Sequence, residues 1–419
     1  MIEKVLNNTI YQIIGKVTTM SITILATIVI TRVYGRASFG EFSLMQSWPA
    51  LFFIIVDFGI NAIATRELSK DFSKAGKYLG NIFLIRSFFA GFLIMLLTIV
   101  LLAFPYSKNL IFGIRLSLFL IFTQSLFTSM NIIFQTKLRY DYSTISLISG
   151  YTVVLASILL FSHLKLHVMW ISFSYVVGGL ITFFVGTRFL GKLGVKPEFR
   201  IDPKLWKFLF ASALPLGIMF IFSQMSFKED EFLLSFLKLP INYNLSNTES
   251  VAVYSLPYKV FEVALVVPTF FMNAMFPVMV KNMQESKEKL KSSFLKTIYI
   301  LASFGVLAGI IGVVLSPIVI NILGGEEFNQ SILVLRILVS GLILFYLSQP
   351  ISWLIVTLGK QIYLPFIYLC VAGVNLTLNL IFIPKYSFHA AAIVTHVSEF
   401  LILIMLVFAA VKAWKSKYA

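Results

Sequence analysis

Cysteine is nearly absent: the single Cys370 lies within an apolar run, so no disulfide within the chain and no cysteine-based metal site can form. Histidine is almost as scarce, and none of the four stands at metal-ligand spacing from another histidine and a carboxylate. Charge is sparse too, at 12% of residues, where a soluble domain carries about a quarter. No G-x-x-x-x-G-K-[ST] stretch occurs, which excludes that form of nucleotide cradle. Long polar stretches are lacking as well. The longest expected outer loop, about Lys238 to Ser250, is a dozen residues without a cluster of catalytic acids or bases. The start M-I-E-K-V-L-N-N-T-I has neither a strongly basic region nor a small-residue cleavage site, so the first span is expected to be retained. Neither a metal nor a cofactor is expected, and no catalytic residue is assigned.

What is present is apolar length. Of 419 residues, 58% are hydrophobic and the mean hydropathy is +0.91. Taking about 20 apolar residues per crossing, the sequence predicts twelve transmembrane helices, at 9–34, 42–64, 79–104, 109–134, 142–162, 166–190, 205–237, 250–280, 292–322, 330–358, 362–383 and 388–412. The net charge of +16 follows the same pattern. Of the 34 Lys and Arg residues, 22 fall in the termini and alternate loops, from Lys4 to Lys417; six fall in the opposite loops and six within spans. Basic loops on one side predict that both termini are cytoplasmic and that the charge serves topology, not nucleic-acid binding. The segment G-K-L-G-V-K-P-E-F-R-I-D-P-K-L-W-K (191–207) divides the spans six and six. The expected organisation is an N-terminal six-helix lobe (1–190), a cytoplasmic linker (191–204) and a C-terminal six-helix lobe (205–419). A faint repeat accompanies it, Phe42-Ser43-Leu44 opening the second span and Tyr254-Ser255-Leu256 the eighth.

The first span carries a polar line. Asn8, Gln12, Lys16, Thr19, Thr23, Thr27 and Thr31 recur at steps of three or four, one face of a helix. Such a line either faces a watery cavity or consists of threonines bonded to their own backbone. Lys16 favours the cavity, because a lysine within a span is costly unless it meets water or a partner.

Depth follows from folding the sequence about its turns. Reflection about Ser38 brings Lys16 level with residue 60, beside Asp57 and Asn61, and reflection about Phe72 brings Asp57 level with residue 87, beside Arg86. Two cations and one carboxylate leave one positive charge over, which suits a phosphate; the competing role is a salt bridge pinning helices. In the second half, K-E-D-E (228–231) and reflection about Asn244 predict Asp230 near Lys259 and Glu262 as a more buried group, with Glu229 and Glu231 at a solvated helix end. Asn375 with Asn379 and His396 with Glu399 stand at helical spacing, which most often bridges helices. Glu399 and Asp57 are also candidates to carry a coupling proton. Prolines 215, 257, 268, 277, 317, 350 and 365 concentrate in spans seven to eleven, where bending is easiest.

Four blocks carry a resemblance: T-R-V-Y-G-R-A-S-F-G-E-F-S-L (31–44), D-F-G-I-N-A-I-A-T-R-E-L-S (57–69), A-L-P-L (213–216) with Asp230, and N-L-T-L-N-L-I-F-I-P-K-Y-S-F-H-A-A-A-I-V (375–394). In them, and nearly end to end, the chain resembles the polysaccharide-biosynthesis and O-antigen flippases of the multidrug/oligosaccharidyl-lipid/polysaccharide exporter superfamily. His389 departs from the pattern, which has a glycine before the paired alanines. The resemblance implies an all-α fold of two six-helix lobes around a central cavity that opens alternately to either side. It implies a bacterial inner-membrane flippase, not an enzyme, that moves an undecaprenyl-pyrophosphate-linked oligosaccharide to the periplasmic leaflet for lipopolysaccharide or similar polymers. Membrane lipids, a polysaccharide polymerase and a chain-length regulator are the implied partners. On this view Lys16, Arg86, Asp57, Asn61, Gln12, Thr19 and Thr23 line the substrate site, and Asp230, Lys259, Glu262 and Glu399 serve the second lobe or ion coupling. The alternatives are an ion-coupled antiporter of small molecules from the same superfamily, and a membrane polymerase or ligase, which would need an outer catalytic loop.

Overall fold

The computed structural model describes residues 2–418, without the side chains of residues 2–7, 9 and 226. Lys4, counted among the basic termini, therefore falls outside the described side chains. Among the described residues the chain is helical throughout, with no strand. Long apolar segments leave the backbone no solvent partner, so each closes its hydrogen bonds within itself. The helices are α1 (Ile2–Asp57), α2 (Ile60–Lys70), α3 (Ala75–Val100), α4 (Lys108–Ser117), α5 (Phe119–Thr136), α6 (Tyr140–His163), α7 (Val168–Lys192), α8 (Pro203–Phe236), α9 (Asn247–Ala264), α10 (Val266–Glu285), α11 (Lys287–Gly324), α12 (Ser331–Ser340), α13 (Leu342–Thr357) and α14 (Tyr363–Tyr418).

Among the described residues ten segments are long and apolar enough to cross a membrane. Two of them, α1 and α14, are each broken once, at Gly35 (φ 76°, ψ −179°) and Ser387 (φ 51°, ψ −135°). Each yields two crossings, which makes twelve. Both breaks lie in motifs of the sequence: Gly35 in the V-Y-G-R turn, where a left-handed φ suits glycine, and Ser387 three residues after Pro384. α1 stops at Asp57 because Phe58 and Gly59 both take positive φ, and α2 restarts at a new angle.

Contacts divide the chain into two compact units, 1–224 and 225–419. The division falls inside α8 and not at 191–204. The reason is that the expected linker is docked on α3: Glu198 N donates to Gly76 O at 2.9 Å, and Asp202 N and Trp206 Nε1 both donate to Asn81 Oδ1 at 2.9 Å. Lys77 Nζ meets Asp202 Oδ2 at 2.6 Å. Only glycine fits at position 80, since a Cβ there would overlap the backbone of Glu198. The first part of α8 goes with the same unit, Phe210 packing on Phe58 and Phe89.

Candidate functional site

In unit 1 the chemistry gathers around Arg86. Its side chain is wholly buried on α3, 0% exposed, facing the break between α1 and α2. Nη2 donates to Asp57 Oδ1 at 2.6 Å and Asn61 Oδ1 at 3.0 Å. Nη1 lies 2.9 Å from Ser129 Oγ, 3.2 Å from Thr128 Oγ1 and 3.3 Å from the Ser125 carbonyl, all on α5. Asn61 Nδ2 closes the ring by donating to Asp57 Oδ1 at 2.8 Å. A guanidinium buried this deeply is stable only when paired and hydrogen-bonded. Asp57 neutralises it and three hydroxyl or carbonyl oxygens of α5 surround Nη1, while the buried Nε has no hydrogen-bond partner among the described residues. Arg86 is thus a pin joining α1, α2, α3 and α5, and its pairing with Asp57 leaves the surplus positive charge of the sequence count on Lys16.

Lys16 stands elsewhere. It is exposed on α1, and no carboxylate pairs with it among the described residues. The reflection about Ser38 placed it beside residue 60, but the chain turns at Gly35, three residues earlier. That correction moves its level partner to residue 54, six residues or about 9 Å along the helix. The structure therefore brings Asp57, Asn61 and Arg86 together and leaves Lys16 apart from them.

Gln12, Thr19 and Thr23 are half-buried on the same face as Lys16. They lie along the edge of the surface by which α1 packs on α6, where Gly15 approaches Thr144 and Asn8 Oδ1 accepts from Tyr140 N at 2.9 Å. Each threonine donates to the carbonyl one turn back: Thr19 to Gly15 and Thr23 to Thr19, both at 2.9 Å, Thr27 to Thr23 at 2.8 Å and Thr31 to Thr27 at 2.9 Å.

In unit 2 the corresponding centre is Asp230 on α8, 1% exposed. The Tyr254 hydroxyl of α9 donates to Oδ2, Thr395 Oγ1 of α14 lies 3.2 Å from the same oxygen, and Asn379 Nδ2 donates to Oδ1 at 2.6 Å. The network extends from Asn379 to Asn375 Oδ1 at 2.8 Å and from Asn375 Nδ2 to Ser398 Oγ at 2.8 Å. Glu399 accepts from the Ser348 hydroxyl of α13, and His396 bonds the Ile337 carbonyl of α12. The two residues thus tie α14 to different neighbours.

Three sequence expectations change here. Glu229 and Glu231, expected at a solvated helix end, are buried, because α8 continues past them to Phe236. Among the described residues neither carboxylate oxygen of Glu229 has a hydrogen-bond partner within the geometric limits, nor does Asn379 Oδ1. Glu262, expected in the buried group with Asp230, is 45% exposed at its side chain and pairs with Lys228 at 3.0 Å. Lys259 is half-buried. Asp230 has hydroxyls and an amide as its partners, and no basic residue bonds it among the described residues.

Sequence reasoning missed Tyr254, Thr395 and the Ser125–Ser129 stretch. Tyr254 was visible only as part of the Tyr254-Ser255-Leu256 echo of Phe42-Ser43-Leu44. Nothing in the sequence marks Thr395 or Ser129 among many membrane hydroxyls.

A family model described as polysaccharide biosynthesis protein matches residues 5–283, well over half of the chain. The chain belongs to this polysaccharide biosynthesis protein family. A second model, MatE, matches residues 232–381 of this family member. Among solved structures, the lipid II flippase MurJ in an inward-closed conformation is similar at 13% identity and a TM-score of 0.76, over 97% of this chain and 89% of that one. An inward-facing multidrug resistance MATE transporter of the MOP superfamily is similar at 14% identity and 0.76, over 96% of both chains. A MOP superfamily transporter from Pyrococcus furiosus, described by a binding pocket of reverse polarity, is similar at 15% identity and 0.65, over 99% of this chain and 94% of that one. No curated protein sequence matches this polysaccharide biosynthesis family member. At these identities the likeness establishes the fold alone, that of an all-α, multi-pass membrane protein.

Proposed function

We propose that the protein is a flippase that carries an undecaprenyl-pyrophosphate-linked oligosaccharide from the cytoplasmic to the periplasmic leaflet of a bacterial inner membrane. The observation that carries this reading is Lys16. It is an ammonium without a carboxylate partner among the described residues, in an apolar crossing flanked by Gln12, Thr19 and Thr23, and at that depth it needs an anion. A pyrophosphate supplies one through charge-assisted hydrogen bonds, while the neighbouring polar line suits sugar hydroxyls. Arg86, buried and paired with Asp57, holds the wall of unit 1 in place and does not contact the phosphate. Family membership in polysaccharide biosynthesis supports the substrate class.

The test is Lys16→Ala in a strain lacking the chromosomal gene. Loss of surface polysaccharide, with lipid-linked single repeats retained on the cytoplasmic side, supports the reading. Export at the parental level, or single repeats reaching the periplasm unpolymerised, sinks it.

A second reading, an ion-coupled antiporter of small molecules, is favoured by the MatE match over 232–381 and by the buried carboxylates Asp230 and Glu229 in unit 2. It predicts drug or cation efflux unaffected by Lys16→Ala and lost in Asp230→Asn.

A further inference from the structure

Within unit 2, α11 and α14 both pack against α13 and leave a groove between them of about 610 Å³. Its α11 wall is Phe294, Leu295 and Ile298. Its α14 wall is Val407, Val411 and Trp414, and its floor is Ile351 and Leu354 of α13. At one end the walls turn basic: Lys287 and Lys291 stand one turn apart on α11, and Lys415 follows Trp414 on α14. All three lysines are exposed.

None of them has a carboxylate partner among the described residues. Glu285 is taken by Lys281 and Lys289, and neither Glu285 nor Glu288 lines the groove. The Lys287 ammonium stands over the ring of Tyr418, 5.5 Å from its centroid. Among the described residues the lining has no hydroxyl, amide or carboxylate side chain, and its polar groups are the three ammoniums and the Trp414 indole N–H, all of them donors. A cationic mouth over apolar walls that run about 10 Å from Lys291 to Ile298 matches one ligand chemistry, a phosphate carrying a hydrocarbon chain. Trp414 beside the lysines is the residue type that marks the headgroup level of a membrane.

We propose that this groove binds an anionic phospholipid from the leaflet on the lysine-rich side, its phosphate among Lys287, Lys291 and Lys415 and one acyl chain along the cleft between α11 and α14. The site lies wholly in unit 2 and does not depend on the transport reading.

The experiment is native mass spectrometry of the full chain released from mixed micelles of phosphatidylglycerol and phosphatidylethanolamine. The parent retains phosphatidylglycerol in preference. Lys287→Gln with Lys291→Gln and Lys415→Gln lowers its affinity by about fivefold per lysine, on the order of a hundredfold together. Lys196→Gln with Lys204→Gln and Lys207→Gln, an equal change of charge elsewhere, retains the lipid. Val411→Trp, which narrows the exposed cleft with all charges intact, lowers occupancy as well. The proposal is overturned by equal retention in the groove triple variant, by equal loss in the charge control, by full binding in Val411→Trp, or by undecaprenyl pyrophosphate replacing phosphatidylglycerol one for one.

Discussion

Arg86 and Asp57 meet at 2.6 Å across the point where α1 ends and α2 begins. The pair holds a helix break shut, and its two members are unequal in burial only slightly, at 0% and 12% side-chain exposure. Removing one partner strands the other charge. Asp57→Asn and Arg86→Gln should each destabilise unit 1 by about 3–5 kcal/mol, read as a fall in thermal unfolding temperature in detergent. A double Asp57→Asn, Arg86→Gln variant should recover part of that loss. Additive losses would show that the pair is not a unit.

Lys16→Ala should behave in the opposite way. Lys16 is exposed and has no carboxylate partner among the described residues, so stability should change by less than about 0.5 kcal/mol, while export should fall tenfold or more. Lys16→Arg should restore most of the export. A variant that loses stability and export together would make Lys16 a structural residue.

Asp230 is held by one amide and two hydroxyl groups, a set that presents lone pairs and donors without a fixed cation. Asp230→Asn and Tyr254→Phe should both remove any stimulation of transport by sodium or by a proton gradient, with Tyr254→Phe the milder. Ion stimulation unchanged in Asp230→Asn would exclude this cluster from coupling.

The clamp between the linker and α3 has a pH signature. The Lys77 ammonium, with help from the Leu205 N–H, holds the Asp202 carboxyl below its ordinary 3.8. A depressed carboxyl contributes stability above its unfolded pKa, and that contribution fades as pH falls through the lower folded value. Trypsin cleavage at Lys196, Arg200 and Lys204 should therefore be flat from pH 8 to pH 6. Asp202→Asn should raise it across that whole range. A rise in the parent between pH 7 and pH 6 would point to another group.

Gly80→Val should undock the same segment, since the backbone of Glu198 occupies the space a side chain needs. The expected result is faster cleavage of 191–207 with the remaining helices intact by circular dichroism. Parental cleavage rates would mean that the segment finds another seat.

Apolar length was enough to lay out the twelve crossings, because a chain in lipid has few ways to satisfy its backbone. The pairing of Asp57 with Arg86 was within reach of reflection because the short turn near Phe72 fixes the register closely. Lys16 was misplaced because Gly35, and not Ser38, is where the helix turns, and a three-residue error doubles on reflection. The docked linker was hidden because its partners are backbone groups and one asparagine, which leave no periodic signal. The Asp230 centre was half visible: the carboxylate stood out, but its hydroxyl partners look like any membrane serine, threonine or tyrosine.

The threonine column of α1 has one more consequence. Each hydroxyl owns a single proton and has spent it on the carbonyl one turn back. Thr27 and Thr31 are buried, so what remains at the open edge is the lone pairs of half-buried Thr19 and Thr23, next to the ammonium of Lys16. A molecule lying against that face must bring its own protons, which sugar hydroxyls do and a fully ionised phosphate does not. The helix thus sorts the two ends of an amphiphile by which of them can donate.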